Sequence, residues 1–233
     1  MKHKYIYSIF GILFSIILLL SSIEFMAFNR NHYKNSFEKY DITTATGMDT
    51  NNLGHVVEDL LSYLKNEKDT LDTTAVIHGE EREVFGEREK LHMIDVKDLF
   101  VKGRLIRNAG LGVLVILLLG MIIKDGHWKT NLAKALFYTA VVNLTLLGIF
   151  LLLLYIDFNK YFTYFHLIFF NNDLWVLDPQ KEVLIQMVPE GFFYDTSIKI
   201  IAIFIAGIKI TGILGYLFKK NKPKQIISKA YNN

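Results

Sequence analysis

Tyr5–Phe28, YIYSIFGILFSIILLLSSIEFMAF, is 24 residues long and holds one charged side chain, Glu24. As a helix it measures ~36 Å, enough for the ~30 Å hydrocarbon layer of a bilayer. A secretory leader would have an apolar region of roughly 7–15 residues and a small-x-small cleavage site. This run is longer and ends Glu-Phe-Met-Ala-Phe, so it reads as an anchor that is kept. Three more runs follow: Ala109–Ile123, extended upstream by Leu105 and Ile106; Leu132–Ile156, broken by Lys134 and Asn143; and Ile198–Phe218, with Lys199 and Lys209. Four such runs in 233 residues that are 52% apolar, with mean hydropathy +0.27, exclude an ordinary soluble globule. The absence of cysteine excludes disulfides, thiolate metal sites and a cysteine nucleophile.

Charge sets the expected orientation. Lys2 and Lys4 precede the first span, Lys124 and Lys129 lie between the second and third, and Lys219, Lys220, Lys222, Lys224 and Lys229 follow the fourth. Short basic flanks stay on the cytoplasmic side. Asn29–Arg104 carries 11 basic and 15 acidic residues, and Asp157–Thr196 carries 2 and 6, so both belong outside. The expected protein is therefore an α-helical integral membrane protein. It has four transmembrane helices and an extracytoplasmic cap made of two loops, helical plus short strands. Its expected divisions are a tail and first span (1–28), cap segment one (29–104), second span (105–123), cytoplasmic loop (124–131), third span (132–156), cap segment two (157–196), fourth span (197–218) and a basic tail (219–233). Plasma membrane, with both termini cytoplasmic, is the expected location.

In cap segment one, Leu53, Val56, Val57, Leu60, Leu61 and Leu64 recur at helical spacing. That helix either lies in the headgroup layer and closes over a site, or packs the core of a small cap. Ala75-Val-Ile-His and Glu83-Val-Phe read as short strands or irregular loop. From about Glu87 the pattern turns helical and runs towards the second span, with only Gly103 to interrupt it. Cap segment two is crowded with aromatic residues, as membrane interfaces are. Its Leu174–Ile185 stretch reads as two short strands about a turn at Asp178-Pro179.

Seven histidines are present. His3 and His127 sit beside charge clusters on the cytoplasmic side and read as solvated; His32, His55 and His78 sit in polar outer stretches and read as having no role. His92 has Glu89 and Asp95 at i−3 and i+3, on one helical face, where a carboxylate can fix a ring's tautomer. His166 sits in Tyr-Phe-His-Leu-Ile-Phe-Phe, where a polar ring must find a partner or bear desolvation. No Gly-x-Ser-x-Gly elbow and no phosphate-binding glycine loop occurs. A metal site from Glu89, His92, Asp95 and His166 is chemically possible. However, Glu-x-x-His occurs once, and di-metal bundles use it twice. Of the charges within the spans, Glu24 and Lys199 lie near the outer ends of the first and fourth spans, where they could pair.

Three strings carry a family resemblance. Arg88-Glu-Lys-Leu-His-Met-Ile-Asp-Val-Lys precedes the second span; Phe165-His-Leu-Ile-Phe-Phe-Asn-Asn-Asp-Leu-Trp-Val-Leu-Asp-Pro and Leu184-Ile-Gln-Met-Val-Pro-Glu-Gly-Phe-Phe follow the third. With four spans and this loop layout, the chain resembles the lipoprotein intramolecular transacylase (Lit) family of low-GC Gram-positive bacteria. The resemblance implies a diacylglyceryl lipoprotein as substrate, with the sn-2 acyl chain moved to the α-amine of its N-terminal cysteine. It implies His92 and His166 as the catalytic pair at the extracytoplasmic face. Glu89 or Asp95 would orient His92; Arg88, Tyr164 or backbone amides would face an oxyanion; and Trp175 would orient or bind substrate. No cofactor, no metal, no nucleic acid and no obligate protein partner is expected beyond the lipoprotein and membrane lipid. Two other readings stand beside this one: an extracytoplasmic metal-dependent hydrolase, and a non-catalytic membrane sensor or assembly factor.

Overall fold

A computed structural model describes residues 4–220; the expected basic tail past Lys220, together with Lys2, lies outside the described residues. In chain order the elements are α1 (Lys4–Ala27), α2 (Arg30–Lys39), α3 (Ile42–Thr46), α4 (Thr50–Leu64), β1 (Thr74–Ile77), β2 (Glu80–Glu83), α5 (Glu87–Lys124), α6 (Trp128–Ile156), α7 (Phe158–Phe169), α8 (Val183–Met187) and α9 (Glu190–Lys220). The four apolar runs fall on α1, α5, α6 and α9, each long and apolar enough to cross a bilayer. They pack as α1 against α5, α6 and α9, and α6 against α9. The α6–α9 approach depends on missing side chains. A Cβ on Gly215 would sit 2.7 Å from the Ala133 carbonyl oxygen, and one on Gly212 would sit 2.9 Å from the Ala140 Cβ. Large apolar side chains such as Ile116, Ile149 and Leu152 face outwards, as a hydrocarbon solvent would favour.

Helix α5 has 38 residues, ~57 Å, nearly twice the hydrocarbon thickness. Its first turns therefore belong to the cap and its remainder to the bundle. The expected division at residue 104 falls inside this unbroken helix, and the one at residue 196 falls inside α9. Gly103 does not break α5, because one mid-helix glycine costs only about 1 kcal/mol and long apolar burial outweighs it.

The cap has its own core. Asp49 caps α4 by accepting the Asn52 N–H at 2.7 Å. The whole apolar stripe Leu53, Val56, Val57, Leu60, Leu61 and Leu64 is at most 5% exposed. It packs with Ile42, Met48, Ile77 and Phe85 of segment one and with Leu184, Met187 and Phe192 of segment two. Of the two readings of this helix, core packing is the one observed; its apolar face is spent inside the cap. The hairpin β1–β2 turns at His78-Gly79, both at positive φ, with Ile77 opposite Glu80. The strand partner is Glu80–Glu83, and Val84 and Phe85 instead plunge into the core.

The two strands expected around Asp178-Pro179 are not formed. Asp178 closes a turn, its carbonyl oxygen accepting the Lys181 and Glu182 N–H groups at 3.0 and 2.9 Å. The residues that follow coil into α8 and bury Val183, Leu184 and Met187 in the cap core. The charges near the span ends are also re-paired. Glu24 faces Arg104 and Arg107 of α5, because α1 packs along that helix, and Lys199 meets His32 instead.

Candidate active site

His92 stands in the second turn of α5 and His166 in the last turn of α7. The fold brings their rings to a centroid distance of 6.3 Å, and each residue is 7% exposed. His166 Nδ1 lies 2.7 Å from the Phe162 carbonyl oxygen. That oxygen can only accept, so Nδ1 carries the proton and Nε2 keeps its lone pair. Trp175 stacks on the His166 ring at 4.7 Å and 23°, and Phe162 and Phe165 meet it edge-on. Phe170 packs beside both histidines, edge-on to His92 at 5.3 Å and tilted to His166 at 5.7 Å. His92 Nδ1 is buried without a hydrogen-bond partner, the one such side-chain atom among the described residues. An unpaired buried polar atom is costly, and such atoms concentrate at functional sites.

The expected supporting residues divide into those that brace the site and one that lies elsewhere. Glu89 does not touch the ring it was expected to orient. It is 2% exposed, and its two oxygens accept the Gly86 and Leu184 N–H groups, each at 2.6 Å. It thus ties the start of α5 to α8 across the cap. Asp95 accepts the Asn172 side-chain N–H at 2.8 Å, and the Asn172 carbonyl accepts the Trp175 indole N–H at 3.0 Å. Asp95 therefore reaches His166 indirectly, through the indole that stacks on it. Arg88 donates to the carbonyls of Asp173 and Val176 and clamps the same loop, so its guanidinium is not held free for an oxyanion. Tyr164 is exposed and packs on Tyr161, with Lys160 above it. Two residues from His166 on α7, it falls on another side of the helix and lies outside the site. Glu89, His92, Asp95 and His166 do not form a shared ligand set. Among the described residues no group of three or more histidines and acids is placed to hold a metal.

Burial, and then the neighbouring His166, push the His92 pKa down to about 4, against a smaller opposing pull from Asp95. Burial lowers His166 as well, with the Phe162 carbonyl opposing. Burial raises the Glu89 carboxyl, and the backbone amides around it, Leu184 and Gly86 foremost, pull it back. Both imidazoles are thus neutral near pH 7, a state suited to accepting a proton. Stability should follow. Between pH 6.5 and about 4 the unfolded chain binds a proton at His92 that the folded chain refuses. Stability from this source is complete above 6.5 and falls as pH drops, by about 2 kcal/mol at pH 5. Thermal unfolding of the solubilised protein should show a lower Tm at pH 5 than at pH 7, and His92→Gln should flatten the slope. An unchanged Tm would contradict the buried neutral ring.

A second histidine network had no distinctive sequence signal. His32 is 4% exposed and stacks on Phe192 at 4.7 Å. Its Nε2 donates to Thr196 Oγ1 at 2.7 Å, because that hydroxyl already donates to the Phe192 carbonyl, and its Nδ1 accepts from Lys199 at 2.8 Å. Burial and Lys199 push its pKa down to about 4. Phe192 packs on Phe193, and Phe193 on Phe162, whose carbonyl holds His166. Only the packing of α2 on α9 reveals this connection.

Four membrane-length helices under a cap that encloses two facing imidazoles define a multi-pass membrane protein with a buried polar site. The profile of the lipoprotein intramolecular transacylase Lit family matches residues 8–193, most of the chain, and the chain belongs to that family. It is an enzyme, an intramolecular transacylase whose substrates are lipoproteins. Among solved structures, the membrane-integral lipoprotein intramolecular transacylase Lit from Bacillus cereus superposes with TM-score 0.75 at 20% identity, over 94% of this chain and 96% of that one. A histidine-to-alanine form of the same protein gives TM-score 0.72 at 21% identity, over 94% of each chain. These likenesses establish the fold. Comparison with curated protein sequences gave no match.

Proposed function

We propose that the enzyme moves the sn-2 acyl chain of a diacylglyceryl lipoprotein to the α-amine of its N-terminal cysteine, giving the lyso form, with His92 and His166 as the acid–base pair. The site opens on the extracytoplasmic face of the plasma membrane, and both termini are cytoplasmic. The observation that carries this reading is the facing of two neutral imidazoles inside an aromatic cage.

The reaction balances on these residues. The neutral amine attacks the ester carbonyl, a carbon–nitrogen bond forms, and the carbon–oxygen bond to glycerol breaks. One proton leaves nitrogen and one arrives on the glycerol oxygen. An α-amine of pKa about 8 is neutral in roughly a tenth of molecules at pH 7. His166 Nε2, with its lone pair turned away from the Phe162 carbonyl, takes the proton from nitrogen. The same carbonyl stabilises the imidazolium that results. His92 hydrogen-bonds the departing glycerol oxygen and helps deliver the proton there. Donor and acceptor sit on one molecule, so holding them in place supplies several kcal/mol through effective molarity, and no acyl-enzyme is needed. Phe162, Phe165, Phe170 and Trp175 keep water from the ester, which would otherwise be hydrolysed.

Mass spectrometry of a lipoprotein's N-terminal peptide, before and after incubation with the purified protein, tests the reading. The expected product has unchanged total mass, an N-acyl fragment series and a blocked amine. Loss of one acyl mass would mean hydrolysis, and an amine that stays free would remove the assignment.

A further inference from the structure

The geometry points to a second ligand site: a pocket at the cap-side end of the bundle that binds the phosphodiester of an anionic lipid. It lies where α1 leaves the bundle beside α5 and the end of α4, with a volume of about 590 Å³, and is lined by Glu24, Phe28, Lys65, Arg104 and Arg107. Arg104 is twelve residues beyond His92 on α5, ~18 Å along the helix, so this is not the histidine site.

One carboxylate here faces two guanidinium groups. Glu24 Oε1 is 3.8 Å from Arg104 Nη1, and Glu24 Oε2 pairs with Arg107 Nη1. Glu67 also borders the pocket and offsets Lys65, which leaves an excess of one positive charge. The donors are not used up. Arg104 gives one N–H to the Leu64 carbonyl at 2.9 Å, and Arg107 gives two to Asn108 and one to Glu24, out of five on each guanidinium. Lys65 makes no ion pair among the described residues; its ammonium rests 5.7 Å from the Phe28 ring centroid. Planar guanidinium forks with spare donors suit phosphate oxygens. The neighbouring Phe25 favours a lipid over a free anion. It is 66% exposed, in the last turn of a membrane-length helix, where an acyl chain would lie against it. Headgroup phosphates sit at this depth, at the rim of the hydrocarbon layer.

Native mass spectrometry of the full-length protein, released from nanodiscs of equal phosphatidylglycerol and phosphatidylcholine, reads the site. The wild type should retain phosphatidylglycerol about tenfold over phosphatidylcholine. Arg104→Gln with Lys65→Gln should abolish that preference. Lys65→Gln alone, which breaks no ion pair and leaves the fold intact, should reduce it several-fold. Equal retention of the two lipids, or a preference unchanged in both variants, overturns the proposal. Displacement of the lipid by millimolar inorganic phosphate would identify a free-anion site and overturn the lipid assignment.

Discussion

His166→Ala should lower the rate of lyso-lipoprotein formation by about 10²–10⁴-fold, the usual contribution of a positioned acid–base group. His92→Ala should do the same, and the double variant should be little worse than either, because the two rings move one proton between them. The fold should survive both changes. His92 Nδ1 makes no hydrogen bond, and His166 loses its bond to the Phe162 carbonyl and its ring contacts with Trp175, Phe162, Phe165 and Phe170, none of which lie in the main cap core. Tm therefore separates lost chemistry from lost structure. Tyr164→Phe serves as the control on the same helix: its exposed ring packs on Tyr161, so activity should stay at the wild-type level. Full activity in either histidine variant would sink the acid–base assignment.

Glu89→Ala should cost a large share of the cap's stability. The carboxylate is almost wholly buried, and it alone satisfies the Gly86 and Leu184 amides at 2.6 Å. Removing it strands the buried Leu184 N–H, at roughly 1–3 kcal/mol, and uncaps the start of α5 at Gly86, at about 1 kcal/mol. A total near 3 kcal/mol corresponds to a Tm lower by about 9 °C in a chain of this size. Glu89→Gln should fall between, since its amide keeps one acceptor but turns an NH₂ towards the other N–H. An unchanged Tm would refute the bracing role. An unchanged Tm with lost activity would return Glu89 to the chemistry.

Glu89 also illustrates why the site was only partly legible. Its spacing from His92 on a helix is correct for a shared face, and that much follows from the chain alone. One of its hydrogen bonds goes to α8, almost a hundred residues later, because the Leu184 amide buried in the cap core needs an acceptor, and the other closes back on Gly86 at the start of α5. Asp95 behaves alike, drawn to Asn172 across the site. Arg88, a candidate for facing an oxyanion, is a clamp on the Asp173–Val176 loop. His32 looked like any histidine in a polar stretch, and only α9 supplies its partners. The α4 stripe could be read as a helix but not assigned to core or lid, since an amphipathic pattern does not say what covers it.

The sequence by itself determined the four spans, the amphipathic cap helix and the identity of the two histidines in their motifs. Each of those depends on local sums: apolar transfer energy along a run, helical spacing within a few turns, or the order of residues in a string. The tertiary structure decided which groups meet. It set His92 against His166, gave Glu24 to Arg107 instead of Lys199, and turned Glu89 from the imidazole to the backbone. Those choices fall among partners of similar chemistry. Distance and burial across separate elements select between them, and neither quantity can be read along a single strand of residues.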